Sequence, residues 1–465
     1  MSFQAPPTLL QLAVQSLLRD EALAISALEE LPMELFPPLF KAAFMNGRSN
    51  ILRAMVQTWP FPCLPLGGLM KMKAPYLEIL RTILDGIDTL LDQKIHPRGY
   101  KLQVLDLRTL HKDFWNVWAG ESCSPEVKCK KKTQKRDPGI VAKQSLKVVI
   151  DLCLKPSALD ECLSYIFLWV EGRKGVLHLA CKRLKISTVA IQTIVNVLEM
   201  LDLDCVEEVG VCCAWKLSTL AMFAPYLGRM KNLRKFLLSH ICVSTSISPE
   251  EEEWLVSQFT SQFLNLHCLQ LLSMDSVSFL NGKMDQVLSC LEGPLKTLSI
   301  TDSELSEPDL KSLSQCRGIR QLKHLNLSGV ALTDISPEHL RVLLERVSAT
   351  LKTLDLENCM IVDSQLSAFL PALSSCSQLT TFNYLRNPIS VAVLEHLLCH
   401  TARLSCLSLE MYSTPWEIYG AQGAAHYKRL EQLREELSKS MMPLEHPKTV
   451  WFSIIPCPPC GNQAI

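Results

Sequence analysis

The stretch Leu351-Lys-Thr-Leu-Asp-Leu-Glu-Asn-Cys359-Met-Ile361 decides the fold. Leucines stand at its first, fourth and sixth positions, a cysteine at the ninth and an isoleucine at the eleventh, the order of a leucine-rich repeat. The same order returns in Leu379-Thr-Thr-Phe-Asn-Tyr-Leu-Arg-Asn387-Pro-Ile389. Alternation of apolar and polar residues predicts a short strand with one buried side. An Asn or Cys at its end can turn inward and hydrogen-bond backbone.

Working outward, the triplet recurs as Leu295/Leu298/Ile300, Leu322/Leu325/Leu327 and Leu404/Leu407/Leu409. Weaker copies are Val176/Leu179/Cys181, Val206/Val209/Val211, Leu233/Phe236/Leu238 and Leu266/Leu269/Leu271, and Leu102/Leu105/Leu107 stands alone before them. From 176 to 404 they start 25 to 33 residues apart, a rhythm that one irregular core would not produce. Between strands lie amphipathic stretches such as Ser336 to Arg346, with Pro337 in the first turn and leucines at 340, 343 and 344. The spacing predicts an α/β leucine-rich-repeat solenoid: a horseshoe with short parallel strands on the concave face and helices outside. Residues 1–95, helical in character and broken by Pro60-Phe-Pro-Cys-Leu-Pro65, are expected to cap it without a strand of their own. Residues 96–455 form the solenoid, with a loop inserted at about 121–139, and 456–465 form a tail.

A chain of 465 residues needs several domains or a stacked array, and 48% apolar residues with only 18 glycines favour folding over disorder. Forty-seven basic and 47 acidic residues cancel, which excludes a broad electrostatic hold on nucleic acid or anionic membrane. Nineteen scattered cysteines read as free thiols in a reducing compartment. Met1 to Pro7 lacks a basic, apolar leader, and no run of about 18 apolar residues occurs. The chain is therefore expected to be soluble and intracellular.

Several stretches resemble the family named for the preferentially expressed antigen in melanoma (PRAME): Gln15 to Ala24, Leu35 to Phe40, Met55 to Phe61, Lys101 to Arg108, Gln258 to Leu264, Leu298 to Thr301 and Pro456 to Gly461. They run through nearly the whole chain. The resemblance implies the same repeat fold and adds a role: substrate recognition for a cullin-2 ubiquitin ligase. With it come restraint of transcription, differentiation and apoptosis, and support of proliferation.

A receptor of this type docks on Elongin C through Thr/Ser-Leu-x-x-x-Cys-x-x-x-aliphatic and selects cullin-2 through aliphatic-Pro-x-x-aliphatic-x-x-x-aliphatic. Residues four apart share one helical face and can enter an apolar groove as a row. Thr8, Leu9, Ala13 and Leu17 fit the first pattern except that Ala13 stands where Cys is expected, which gives less burial. Leu31, Pro32, Leu35 and Leu39 fit the second. The same spacing also suits an ordinary capping helix, and Leu31-Pro-Met-Glu-Leu35 also looks like the start of an F-box.

The concave face should present Thr297, Ser299, Thr301, His324, Asn326, Ser328, Thr353, Asp355, Glu357, Thr381, Asn383 and Leu385 to a protein partner, or simply to water. Six basic residues in nine, Lys128, Lys130, Lys131, Lys132, Lys135 and Arg136, fit a nuclear import signal or a solvated loop, so the cytoplasm and also the nucleus are the expected locations. Cys457-Pro-Pro-Cys460 has half the ligands of a zinc site, and His396-x-x-Cys399-His400 lies in a repeat helix, so no metal or cofactor is expected. Leu394-x-x-Leu397-Leu398 and Leu340-x-x-Leu343-Leu344 resemble groove-docking peptides but should be core. Motifs of serine hydrolases, zinc peptidases and phosphate loops are missing, so the chain reads as no enzyme. Its leading reading is a ligase adaptor binding Elongin C, cullin-2 and unknown substrate proteins. The alternative is a scaffold or corepressor without a ligase.

Overall fold

The computed structural model describes residues 8–70, 76–93, 100–108, 115, 145–156, 160–188, 190–419, 428–433, 435 and 448–453. The chain divides into two compact units, residues 1–184 with 196–205, and residues 185–195 with 206–465.

The first unit begins with α1 (Leu9–Arg19), α2 (Glu21–Ser26), α3 (Phe36–Asn46) and α4 (Ser49–Gln57). Then come β1 (Cys63–Pro65), α5 (Gly67–Met70), α6 (Leu77–Leu91), β2 (Val104–Asp106), β3 (Leu146–Leu154), α7 (Glu161–Glu171) and β4 (Leu177–Ile186). The last residues of β4 and the first of α8 (Ile191–Met200) belong to the second unit.

Aromatic packing holds the helices to the sheet. Phe40 lies 5.1 Å from Trp59, edge-on, and stacks on Trp115 at 5.7 Å. The indole N–H of Trp59 donates to the Cys63 carbonyl and that of Trp115 to the Pro65 carbonyl, both at 3.0 Å.

The proline-rich break at 60–65 therefore contains a strand, contrary to the expectation of a strandless cap. β1 pairs in parallel with β2 through Leu64 and Leu105. It starts the strand order, and an edge strand tolerates prolines because one side of it needs no ladder donor. β3 also goes unannounced by the triplet. Val148 lies beside Leu105, but the position three residues before Val148 is Ser145.

In the second unit the strands are β5 (Glu208–Lys216), β6 (Lys235–Cys242), β7 (Leu271–Val277), β8 (Thr297–Thr301), β9 (His324–Asn326), β10 (Thr353–Asp355), β11 (Thr381–Tyr384), β12 (Leu409–Ser413) and β13 (Thr449–Ser453). Their neighbours in the sheet follow chain order, and every pairing is parallel. Helices connect them: α9 (Leu217–Leu227), α10 (Pro249–Thr260), α11 (Met284–Ser289), α12 (Glu307–Gln315), α13 (Pro337–Val347), α14 (Asp363–Ser374) and α15 (Val391–Thr401). This is an α/β leucine-rich-repeat solenoid.

Register shows what stacks. Phe236, Leu272, Leu298, Leu325, Leu354 and Phe382 occupy one slot in β6 to β11, each at most 1% exposed. Burying each is worth about 1.5–3 kcal/mol, and no single repeat could shield its own. Two expected triplets are corrected by this slot. The repeat at β7 is Leu269/Leu272/Met274, three residues later than Leu266/Leu269/Leu271, whose hydrophobic neighbours at 271 and 272 disguise the register. At β12 the repeat is Leu407/Glu410/Tyr412 and not Leu404/Leu407/Leu409, because a glutamate fills the leucine slot beside Phe382.

The turn after β10 and β11 depends on Asn387, which is fully buried. Its Oδ1 accepts the Cys359 and Ile361 N–H groups at 3.0 and 3.2 Å, and its Nδ2 donates to the Leu356 carbonyl at 2.7 Å. Cys359, at the equivalent position one repeat earlier, donates its thiol to the Leu327 carbonyl at 3.1 Å.

Candidate protein-docking surfaces

The N-terminal surface is built on α1. Thr8 closes its start reciprocally: Thr8 Oγ1 accepts the Gln11 N–H at 3.2 Å, and the Thr8 N–H donates to Gln11 Oε1 at 2.8 Å. Val14 alone is buried, so the helix leans on the unit by one side. Leu9 is 85% exposed, while Ala13 and Leu17 are half-buried. The expected row of anchors is therefore uneven, open at Leu9 and half-covered at Ala13 and Leu17.

In the second row Pro32 is exposed and starts a short turn in which the Leu35 N–H donates to its carbonyl at 2.9 Å. Leu31 and Leu35 are half-buried. Leu39 needs a correction as a docking residue. It is fully enclosed on α3, so its apolar surface already belongs to the chain's own core. Leu10, Leu12, Leu23, Ile25 and Met33, all at least 38% exposed, were not singled out from the sequence. Apolar residues recurring on more than one side of α1 were the available signal.

The second surface is the side of the sheet opposite the leucine slot. One column runs Leu271, Thr297, His324, Thr353, Thr381, Leu409, Thr449, and the next Ser273, Ser299, Asn326, Asp355, Asn383, Met411, Trp451. The expected residues Thr297, Ser299, Thr301, Asn326, Ser328, Thr353, Asp355, Glu357, Thr381 and Leu385 are half-exposed, and His324 is exposed.

Many of them are already engaged. Thr301 Oγ1 donates to Asp275 Oδ1 at 2.7 Å, and His324 Nδ1 lies 3.0 Å from Thr353 Oγ1. Oδ1 of Asn326, Asp355 and Asn383 each accepts the backbone N–H two residues on, at 2.9–3.1 Å. Asn383 is corrected as a contact residue. Only 6% exposed, it spends Nδ2 on Asp355 and Glu357 at 3.1 Å each and braces those carboxylates. Burial raises the Asp355 pKa above the ordinary carboxylate value, partly countered by the Glu357 N–H and Asn383.

Leu409, Met411 and the 63%-exposed Trp451 extend this face, and the misplaced β12 triplet hid them. Behind them, Glu410 is fully buried. Its Oε1 lies 3.3 Å from Lys448 Nζ, and its Oε2 accepts the Tyr412 hydroxyl at 2.7 Å and Thr401 Oγ1 at 3.2 Å. Leu340, Leu343, Leu344, Leu394, Leu397 and Leu398 are buried repeat core. His400 Nδ1 is taken by the His396 carbonyl at 2.9 Å. The basic run Lys128–Arg136 and the pair Cys457/Cys460 lie outside the described residues. No described helix is long and apolar enough to cross a membrane.

Family models for the PRAME N-terminal and C-terminal domains match residues 6–115 and 146–465. The chain belongs to the PRAME family. PRAME family member 12 of Homo sapiens is 56% identical over 465 residues, covering 100% of this chain and 96% of that one. Members 8 and 7 of Homo sapiens are each 53% identical, covering 100% and 98%. Among solved structures, the crystal structure of a TLR13–ssRNA13 complex overlaps 71% of this chain and 51% of its own at 12% identity. Its TM-score is 0.28, too low to support an argument about fold or ligand. PRAME family membership and the repeat architecture make this chain a leucine-rich-repeat scaffold of the protein-binding kind.

Proposed function

We propose that this PRAME family member is the substrate-recognition adaptor of a cullin-2 ubiquitin ligase. The observation that carries the reading is Leu9: a leucine 85% exposed in the first turn of a helix whose start Thr8 and Gln11 cap reciprocally, at the leucine position of the Elongin-docking pattern. A large apolar side chain held out on a rigid helix is what an apolar groove takes up. Thr8 fixes the helix start, Leu9 inserts, and Ala13 and Leu17 supply the flank. Leu31, Pro32 and Leu35 sit at the cullin-selecting positions, while Leu39 supports α3 from inside.

The strand face of the repeats holds the target protein, and the chain supplies geometry without catalytic groups. The ligase's other subunits transfer ubiquitin. Restraint of transcription, differentiation and apoptosis, and support of proliferation, then follow from which targets are removed. Work in the cytoplasm and nucleus fits such targets, with the Lys128–Arg136 run as the import signal.

Co-purification tests the reading. Tagged full-length protein should retrieve Elongin C and cullin-2, and Leu9→Asp should abolish both, with Leu35→Asp reducing cullin-2 selectively. Failure of the unaltered chain to retrieve either, or indifference to Leu9→Asp, would leave the alternative reading of a non-ligase scaffold or corepressor.

A further inference from the structure

Lys296, Lys323 and Lys352 hold one register position in three successive repeats, each one residue ahead of its strand. Their backbones are stacked directly: the Lys323 N–H donates to the Lys296 carbonyl at 2.8 Å and the Lys352 N–H to the Lys323 carbonyl at 2.7 Å. Neighbouring strands lie about 4.8 Å apart, so the three lysines follow one another as a close ladder along the rim where the strands begin. All three are exposed. Lys296 Nζ reaches Gln270 Oε1 at 2.9 Å. Ion pairs elsewhere join Lys235 to Glu208 and Arg341 to Glu338; among the described residues none includes Lys323 or Lys352. Like charges stacked across strands are destabilising, so the ladder costs the fold something that an external anion would relieve. His324 beside it has its pKa lowered by burial and then by Lys352 and Lys323, in keeping with an uncompensated positive edge.

The far ends of the same strands carry the opposite sign. Asp355 and Glu357 are half-exposed at and after the end of β10, and Asp302 and Glu304 are exposed after the end of β8. Asp355 lies three residues beyond Lys352, roughly 10 Å along the strand direction at about 3.3 Å per residue, and Glu357 follows in the turn that Asp355 closes. A uniform polyanion such as nucleic acid would satisfy the ladder but meet repulsion from these carboxylates. A uniformly basic segment would meet the reverse.

We propose that the strand face, together with the lysine rim where its strands begin, binds an extended protein segment of dipolar composition, with acidic side chains over the Lys296–Lys323–Lys352 ladder and a lysine or arginine over Asp355 and Glu357. It deepens the reading above and rests on the part of it that makes the strand face the target site.

Fluorescence anisotropy on the full-length protein tests this. The probes are a labelled peptide with three glutamates and two lysines separated by four neutral residues, an all-glutamate peptide, and a single-stranded RNA of similar length. The dipolar peptide should bind best, in a salt-sensitive manner. Lys323→Glu with Lys352→Glu should weaken it by about tenfold or more. Asp355→Asn with Glu357→Gln should weaken the dipolar peptide yet strengthen the all-glutamate one. Absence of binding by the dipolar peptide, equal binding by the lysine variant, or preference for the RNA each overturns the proposal. The lysine variant should still retrieve Elongin C, and Leu9→Asp should still bind the peptide, so failure of the adaptor reading and failure of this one are separable.

Discussion

Replacing Lys448 by Met removes the only cation within ion-pair distance of Glu410 among the described residues. Glu410 is fully buried and the Lys448 side chain only 4% exposed, so water cannot take the ammonium's place. Breaking one side of a buried pair costs about 3–5 kcal/mol. Tyr412 and Thr401 still donate to Oε2, which places the expected loss near the lower end, about 3 kcal/mol. The double variant Glu410→Leu with Lys448→Met restores the leucine slot filled by Leu354 in β10. Thr401 Oγ1 turns its proton from Glu410 to the Leu398 carbonyl, the Thr401 carbonyl loses the Lys448 ammonium but keeps the Leu404 N–H, and the Tyr412 hydroxyl is left without its acceptor. That residual defect is worth about 1–2 kcal/mol, and adding Tyr412→Phe should erase most of it. Urea unfolding gives the free energies, and amide hydrogen exchange at 409–413 and 449–453 locates the weakening. A Lys448→Met chain as stable as the parent, or a double variant no better than the single, would refute the reasoning.

Asn387→Ala should cost about 3 kcal/mol or more, because it strands two buried N–H groups and a carbonyl at once; urea midpoints against the parent check it. Alkali should act through the buried thiols. Burial pushes Cys181 and Cys376 from 9.0 up to about 12, so the stability they contribute is fully present below about pH 9. It is then lost as pH rises toward 12, at about 1.4 kcal/mol per pH unit for each thiol. Unfolding measured from neutral to alkaline pH should fall less steeply for Cys181→Ala with Cys376→Ala than for the parent.

The fold was legible wherever aliphatic residues filled the repeating slot, as from Leu295 to Tyr384. It blurred where physics allowed a substitute. Glu410 is acceptable in a leucine slot only because Lys448, some forty residues on, neutralises it, and no local pattern announces that distant partner. At β7 the adjacent Leu271 and Leu272 offered two phases, and cross-strand pairing with Phe236 chose one. β1 hid among prolines that an edge strand can accept. For the docking rows, spacing found Leu9 and Leu39 equally well, yet only tertiary packing separates an outward leucine from an enclosed one. The charged rim escaped because Lys296, Lys323 and Lys352 look ordinary singly and gain meaning only when the register stacks them.

The turn closures at Asn326, Asp355 and Asn383 use only Oδ1. The second terminal atom of the side chain, an amide nitrogen or a carboxylate oxygen, plays no part in that closure. Exchanging Asn for Asp at 326, or Asp for Asn at 355, changes the charge the face presents by one unit while leaving the backbone closure intact, so these repeats carry a one-letter electrostatic dial. Relatives could diverge in what they grip by turning such dials, without rebuilding the frame.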